Sequence, residues 1–174
     1  MNLIFRMIRL LLLRNRLPRI SALEPSYTQI QVWPMDCDFN LHLTNSRYPA
    51  LLDLARTQYL MQIDSLSKFV GGGWKSVLSS QSISFIKEIK PFAKVDISTQ
   101  VISWDRKYCY IEHKFLVGDK LHAKALARVA FIKERRVRAF DKLLLELDSA
   151  STIASPPESQ QVNAWLQLLE SKKV

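Results

Sequence analysis

Residues 48–63 constrain the fold more than any other stretch of this chain. Tyr48, Leu51, Leu52, Ala55, Tyr59 and Ile63 recur at spacings of three and four, the signature of one helical face. Leu54 and Leu60 widen that stripe until few polar residues remain for an outer side. A helix so poor in polar surface is stable only when enclosed on several sides, and a sheet is the element able to wrap it.

The strands to do so follow. Residues 77–89 alternate in part, with Ile83, Phe85 and Ile89 on one parity, and residues 95–104 and 108–117 are rich in β-branched and aromatic side chains. Gly118 and Asp119 predict a hairpin turn. Residues 121–132 read as a further strand, although their alanines suit a helix equally well. With residues 27–33 this gives about five strands around one helix, an α+β layer arrangement rather than alternating βαβ units. A chain of 174 residues, 48% of them hydrophobic, is long enough for one domain with a full core. Gly71 to Gly73 follow the helix and precede a strand, the reverse of the order a phosphate-binding glycine loop requires, so they predict a hinge or turn.

Chemistry concentrates just before the helix. Asp36, Asp38, Asn40, His42, Thr44 and Asn45 fall within ten residues. Thr44, Asn45 or Ser46 is expected to cap the helix, and Pro49 is tolerated in its first turn. The polar loop therefore ends at a helix N-terminus, where unpaired N–H groups and the positive end of the dipole suit a developing oxyanion or a phosphate.

The run DCDFNLHLTNSRY resembles the acidic loop and central-helix start of hot-dog-fold acyl-CoA thioesterases of the 4-hydroxybenzoyl-CoA thioesterase type. The run SQSISFIKEIKPFAKVDISTQVISWDRKYCYIEHKFLV is similar to that family's first long strand, its turn at Pro91 and Phe92, and the strand pair that follows. The resemblance covers roughly residues 27–134. It implies a hot-dog fold, an antiparallel sheet wrapped around a central helix, and hydrolysis of an acyl-CoA or acyl-carrier-protein thioester. By the same match Asp38 is the catalytic carboxylate, as nucleophile or as general base on water. Asn45 supplies a carbonyl-polarising backbone N–H. His42 orients the loop or contacts substrate, against the plainer role of a hydrogen-bonded loop histidine. Asp36 shapes the loop, while Tyr48 and Arg56 pack, the latter with Asp53 as a local ion pair. Lys87, Lys90, Arg106 and Lys107 sit near strand ends and are candidates for binding a nucleotide tail. The family closes its ligand cleft by pairing protomers, so a homodimer or homotetramer is expected. Two positions depart from the pattern: Leu41 stands where a small residue is usual, and Thr44 replaces the first asparagine.

Two other functions compete. A hot-dog enoyl-CoA hydratase uses Asp and His five apart with a proline between; here the spacing is four and the proline is missing. A non-catalytic acyl-CoA-binding or membrane-associated hot-dog protein would keep the fold without the turnover. No cofactor is expected, coenzyme A entering as part of the substrate. Asp36, Asp38 and His42 supply too few ligands for a metal. Cys37 lies between two carboxylates that oppose thiolate formation, which argues against a cysteine nucleophile. Two cysteines make no disulfide framework, so a reducing, cytoplasmic setting fits. His113 and His122 fall in strands without partners at metal-ligand spacing and are expected to be structural.

The net charge is +9. Residues 1–25 hold Arg6, Arg9, Arg14, Arg16 and Arg19 against Glu24, five minus one, or +4. A second basic cluster, Lys133, Arg135, Arg136 and Arg138, faces only Glu134. No zinc-finger, RNP-like or helix-turn-helix pattern supports a nucleic-acid role. Residues 1–13 are apolar but broken by Arg6 and Arg9, short of the ~20 residues that span a bilayer, and no cleavable signal follows them. They predict an amphipathic helix, either packed on the domain or a partner, or lying peripherally on anionic lipid through residues 1–19. The expected division is therefore a basic amphipathic segment over 1–25, the hot-dog domain over 26–150, and a linker with a C-terminal helix over 151–174. In that last segment Val162, Trp165, Leu166 and Leu169 form a stripe expected to dock on the domain.

Overall fold

The computed structural model describes residues 3–148 and 153–172. Helix α2 (Arg47–Gln62) is the axis of the molecule and is buried on several sides, through Leu51, Leu52, Leu54, Ala55, Tyr59 and Met61. Strands β1 (Ser26–Gln31), β2 (Lys75–Phe85), β3 (Lys94–Trp104), β4 (Cys109–Val117) and β5 (Lys120–Lys133) form an antiparallel sheet in the order β1-β3-β4-β5-β2. This is the hot-dog arrangement.

The sheet face under α2 follows a period of two. Val95, Ile97, Thr99 and Val101 of β3, and Ile111, His113 and Phe115 of β4, are buried in alternation. Ala123, Ala125 and Ala127 of β5 occupy the same core as the α2 leucines and Tyr59. The small side chains let the helix approach the strand, which is why a segment of helix-forming residues is extended here. Gly118, at φ +56°, makes the β4–β5 turn. Lys90 to Ala93 form a turn closed by Ala93 N–H to Lys90 O at 3.3 Å, with Phe92 at φ +65° after Pro91.

Several elements go beyond the sequence expectation. A short strand β6 (Arg136–Arg138) pairs with the end of β5, across a tight turn that places Glu134 and Arg135 at positive φ. The second basic cluster is thus a hairpin, in which Arg138 reaches Glu134 at 3.6 Å. Its Lys133 pairs with Glu146 at 2.6 Å, on helix α4 (Phe140–Leu147), which closes one end of the core. Helix α3 (Leu66–Val70) follows α2 and ends at the glycines. There a Cβ on Gly72 would lie 2.8 Å from the Lys68 backbone. Helix α5 (Gln160–Ser171), capped by Ser159 Oγ accepting from Val162 N–H, packs Val162 and Trp165 against Tyr110 and Leu126 on the sheet's other face. Helix α1 (Leu3–Leu13) lies on the core through Leu3, Met7 and Leu10.

Strand β2 pairs with β5 alone and is largely exposed, with Val77, Leu78 and Phe85 open to solvent. Such an edge is a template for another strand.

Candidate active site

The loop between β1 and α2 is folded by its own backbone. A one-turn 3-10 helix (Pro34–Asp36) is followed by an isolated bridge between Cys37 and Leu43. Within it Asp38 N–H donates to His42 O and Leu41 N–H to Asp38 O, both at 3.0 Å, and Asn40 N–H donates to Asp38 Oδ1 at 2.9 Å. Leu43 N–H donates to Ile89 O at 2.8 Å, which stitches the loop to the chain leaving β2. Leu41 completes the turn at φ +58°. The left-handed conformation crowds its Cβ.

The two aspartates have opposite surroundings. Asp36 is buried, its side chain 1% exposed, and its Oδ2 accepts from Arg6 Nη2 at 2.5 Å and from Trp33 N–H at 3.0 Å. Arg47 Nε stands 3.8 Å from Oδ1. Asp36 is thereby committed to holding the loop, and it does not converge with Asp38 and His42 as a ligand set. Asp38 is 33% exposed, neither turned fully to water nor walled off, and its Oδ1 lies 3.5 Å from His42 Nδ1. Cys37 between them has its thiol pushed up, by burial first and then by both carboxylates.

The capping expectation is corrected. Ser46 occupies the N-cap of α2 with φ −66° and ψ −19°, already helical, and no side chain caps the helix. Arg47 N–H instead donates to Thr44 O at 2.9 Å, so a tight turn runs directly into the helix. Asn45 sits in that turn with its side chain exposed, and its N–H has no hydrogen-bond acceptor among the described residues.

His42, Leu43, Asn45 and Tyr48 face Phe85, Ile86, Lys87 and Glu88 across an open cleft of about 240 Å³. Asp38 does not line this space itself; it borders it through His42. The Tyr48 ring packs edge-on to Phe85 at 4.9 Å, and burial pushes its hydroxyl up to about 12, so it is protonated at neutral pH. His122, expected to be structural, has Nδ1 2.8 Å from Glu88 O and accepts both Ile86 N–H and Lys87 N–H at its own carbonyl. The residues that follow β2 are thus fixed from β5.

Of the four expected cationic residues, Lys87 borders the cleft and Lys90 pairs with Glu88 at 3.5 Å close by. Arg106 and Lys107 lie in the β3–β4 turn, at the far end of an eleven-residue strand from Lys94, roughly 33 Å away at 3.3 Å per residue. Within one protomer they do not reach the cleft. Lys107 instead has its ammonium 5.0 Å over the Tyr108 ring.

Two features had no sequence signal. One is the Arg6–Asp36 pair, joining residues thirty apart. The other centres on Arg56. It pairs with Asp53 as expected, but it is buried and its Nη1 also meets Gln81 Oε1 at 3.2 Å and His113 Nε2 at 3.3 Å. A further space of about 260 Å³ lies beneath α1, bordered by Leu10, Leu13, Ile30 and Leu54 with Arg9 and, from the start of the loop, Trp33.

This acidic loop leading into an enclosed helix is matched by a family model for the thioesterase-like superfamily over residues 32–166. The chain belongs to that superfamily. It is 33% identical over 95 residues to a probable thioesterase of Saccharomyces cerevisiae, across 53% of this chain and 41% of that protein. It is 27% identical over 150 residues to Protein THEM6 of Xenopus laevis, across 85% of this chain and 70% of that one. Among solved structures, the YbaW probable thioesterase of Escherichia coli superposes with a TM-score of 0.63 at 22% identity, over 70% of this chain and 94% of that one. The alignment to the yeast relative spans less than half of that protein's length.

Proposed function

We propose that this superfamily member hydrolyses an acyl thioester, with Asp38 as the reacting carboxylate. The observation that carries this is the placement of Asp38 and His42, 3.5 Å apart, beside a cleft lined by Asn45, whose N–H is unpaired among the described residues just before α2. The thioester carbonyl oxygen would sit against that N–H, and a single such donor contributes about 2.7 to 4 kcal/mol to a tetrahedral transition state. Asp38 either attacks the carbonyl carbon, expelling the thiolate and leaving an anhydride for water to cleave, or removes a proton from an attacking water. Its Oδ1 is held by Asn40 N–H and faces His42, which leaves Oδ2 to react.

The carrier in this proposal is coenzyme A, with Lys87 and Lys90 beside the cleft as its phosphate contacts. The cleft is open along the end of β2, and a second copy paired on the free β2 edge would close it, so the working unit is a homodimer. The setting is cytoplasmic, in keeping with two free cysteines.

A hydrolysis panel of short, long and aromatic acyl-CoA esters tests this. Asp38→Asn should lower turnover by at least about 100-fold; full turnover by Asp38→Ala, or no hydrolysis of any ester by the wild type, would overturn it. Single turnover in ¹⁸O-water that leaves label in Asp38 would establish the nucleophilic route, because general-base hydrolysis places the label only in the released acid.

A further inference from the structure

Helix α1 is apolar on two sides. Leu3, Met7 and Leu10 face the core and Arg6 is spent on Asp36 and on Gln31 O. On the outward side Phe5, Ile8, Leu11 and Leu12 stand in solvent, with Phe5 62% and Leu12 79% exposed. Residues 5, 8 and 12 recur at three and four, so these side chains form one stripe along the helix. A protein seldom leaves so continuous an apolar stripe bare without an occupant for it.

The charges around the stripe say what the occupant is. Arg9, Arg14 and Arg16 are exposed, and none has a carboxylate partner among the described residues; Arg19 pairs with Asp64 at 3.0 Å. No acidic residue occurs before Glu24. A second copy of α1 laid on this face would set arginines against arginines. A surface of anionic headgroups over acyl chains complements both features at once. The eleven residues of α1 extend only about 16 Å, and no helix among the described residues is long and apolar enough to cross a membrane. The fitting orientation is therefore parallel to the surface.

We propose that α1 docks this protein flat on an anionic lipid surface, with Phe5, Ile8, Leu11 and Leu12 in the acyl boundary and Arg9, Arg14 and Arg16 on the headgroups. Because Arg6 on the same helix holds Asp36, the loop carrying Asp38 is kept directly behind the docked face. The docking itself does not depend on what that loop catalyses.

Flotation of the full chain with vesicles tests the proposal. Phosphatidylcholine vesicles with and without phosphatidylglycerol would be compared for wild type, Phe5→Glu/Leu12→Glu, and Arg9→Ala/Arg14→Ala/Arg16→Ala. Wild type should float with the anionic vesicles and be released by salt. Each arginine removed should cost about fivefold in partitioning, on the order of a hundredfold for three. The double glutamate variant should not float. All substituted side chains are exposed, so circular dichroism and thermal melting should match wild type. Should the double variant misfold, the arginine variant carries the test alone. The proposal is overturned if wild type shows no preference for anionic vesicles or if the variants float equally. It is also overturned if the double variant loses oligomer mass in light scattering while vesicle binding persists, since the stripe would then be a protein interface.

Discussion

Arg6→Ala removes one half of a buried ion pair and leaves the other half in place. The side chains of Arg6 and Asp36 are 6% and 1% exposed. Without the guanidinium, the Asp36 carboxylate keeps Trp33 N–H at 3.0 Å and has Arg47 Nε at 3.8 Å. Breaking a buried pair from one side costs about 3 to 5 kcal/mol, because the remaining charge is uncompensated. Arg47 is partly exposed and already close, and by giving up its bond to Met35 O at 3.3 Å it can turn further inward, which places the expected loss at the low end, about 3 kcal/mol. For a domain of this size that is a fall of about 6 to 12 °C in Tm. Urea unfolding at neutral pH, with an unchanged m-value, measures it directly. The companion Arg6→Met/Asp36→Asn removes both charges while Asn still accepts from Trp33 N–H, so it should recover most of the loss. A loss below about 1 kcal/mol for Arg6→Ala, or a double variant no more stable than the single, would refute the claim that this pair anchors α1 to the loop.

Leu41→Gly should stabilise the protein by up to about 1 kcal/mol: it relieves a left-handed residue worth about 1 to 2 kcal/mol, set against the entropy glycine gains when unfolded, and the 69% exposed side chain gives up little burial. A lower Tm would show that the leucine packs on something. His113 is held neutral, chiefly by burial and secondly by Arg56, well below the usual histidine range. The unfolded chain takes up a proton near pH 6.5 that the fold refuses, so stability is full above that pH and falls as pH drops. Between pH 7.5 and 5.5 the difference between wild type and His113→Gln should change by about 1.4 kcal/mol; a constant difference would mean the ring titrates in the fold as it does in the unfolded chain, and a change of opposite sign would mean it is protonated there. Asn45→Ala should keep turnover within about twofold, because the donor is backbone; a tenfold loss would assign the role to the side chain.

What the sequence could reveal followed range. The α2 stripe, the strand series and the Gly118 turn are written in spacings of two to four residues and formed at the expected places, except that β2 stops at Phe85 where the alternation predicts strand on to Ile89. Helix α4 carries a readable signal as well, Phe140, Leu143, Leu144 and Leu147 at helical spacing, but it sits behind a cluster of charges that draws attention to the surface instead. Strand β6 has three residues, two of them arginine, and nothing periodic to read. The site divides the same way. The loop composition marked where chemistry collects, yet which aspartate is buried depends on Arg6, and no local pattern links residue 6 to residue 36.

The Arg56 cluster explains how the cleft obtains a second wall. A neutral His113 can donate from Nδ1 to Thr99 Oγ1, 2.9 Å away, which turns Nε2 toward Arg56 as an acceptor. Arg56 then has a fixed direction, and its remaining reach falls on Gln81 of β2, an otherwise exposed edge strand held by β5 alone. Strand β2 already carries an irregularity at Ser79, where its pairing with β5 shifts by one residue. A further slip of one would turn every side chain beyond it to the opposite face. With Gln81 tied through Arg56 to the central helix, that slip takes the Gln81 carbonyl oxygen from a buried guanidinium and leaves it one acceptor short. The register that survives is the one that brings Phe85, Ile86 and Lys87 opposite His42 and Tyr48. A buried cation in the middle of the helix thus sets which residues of an edge strand line the cleft at the helix's start.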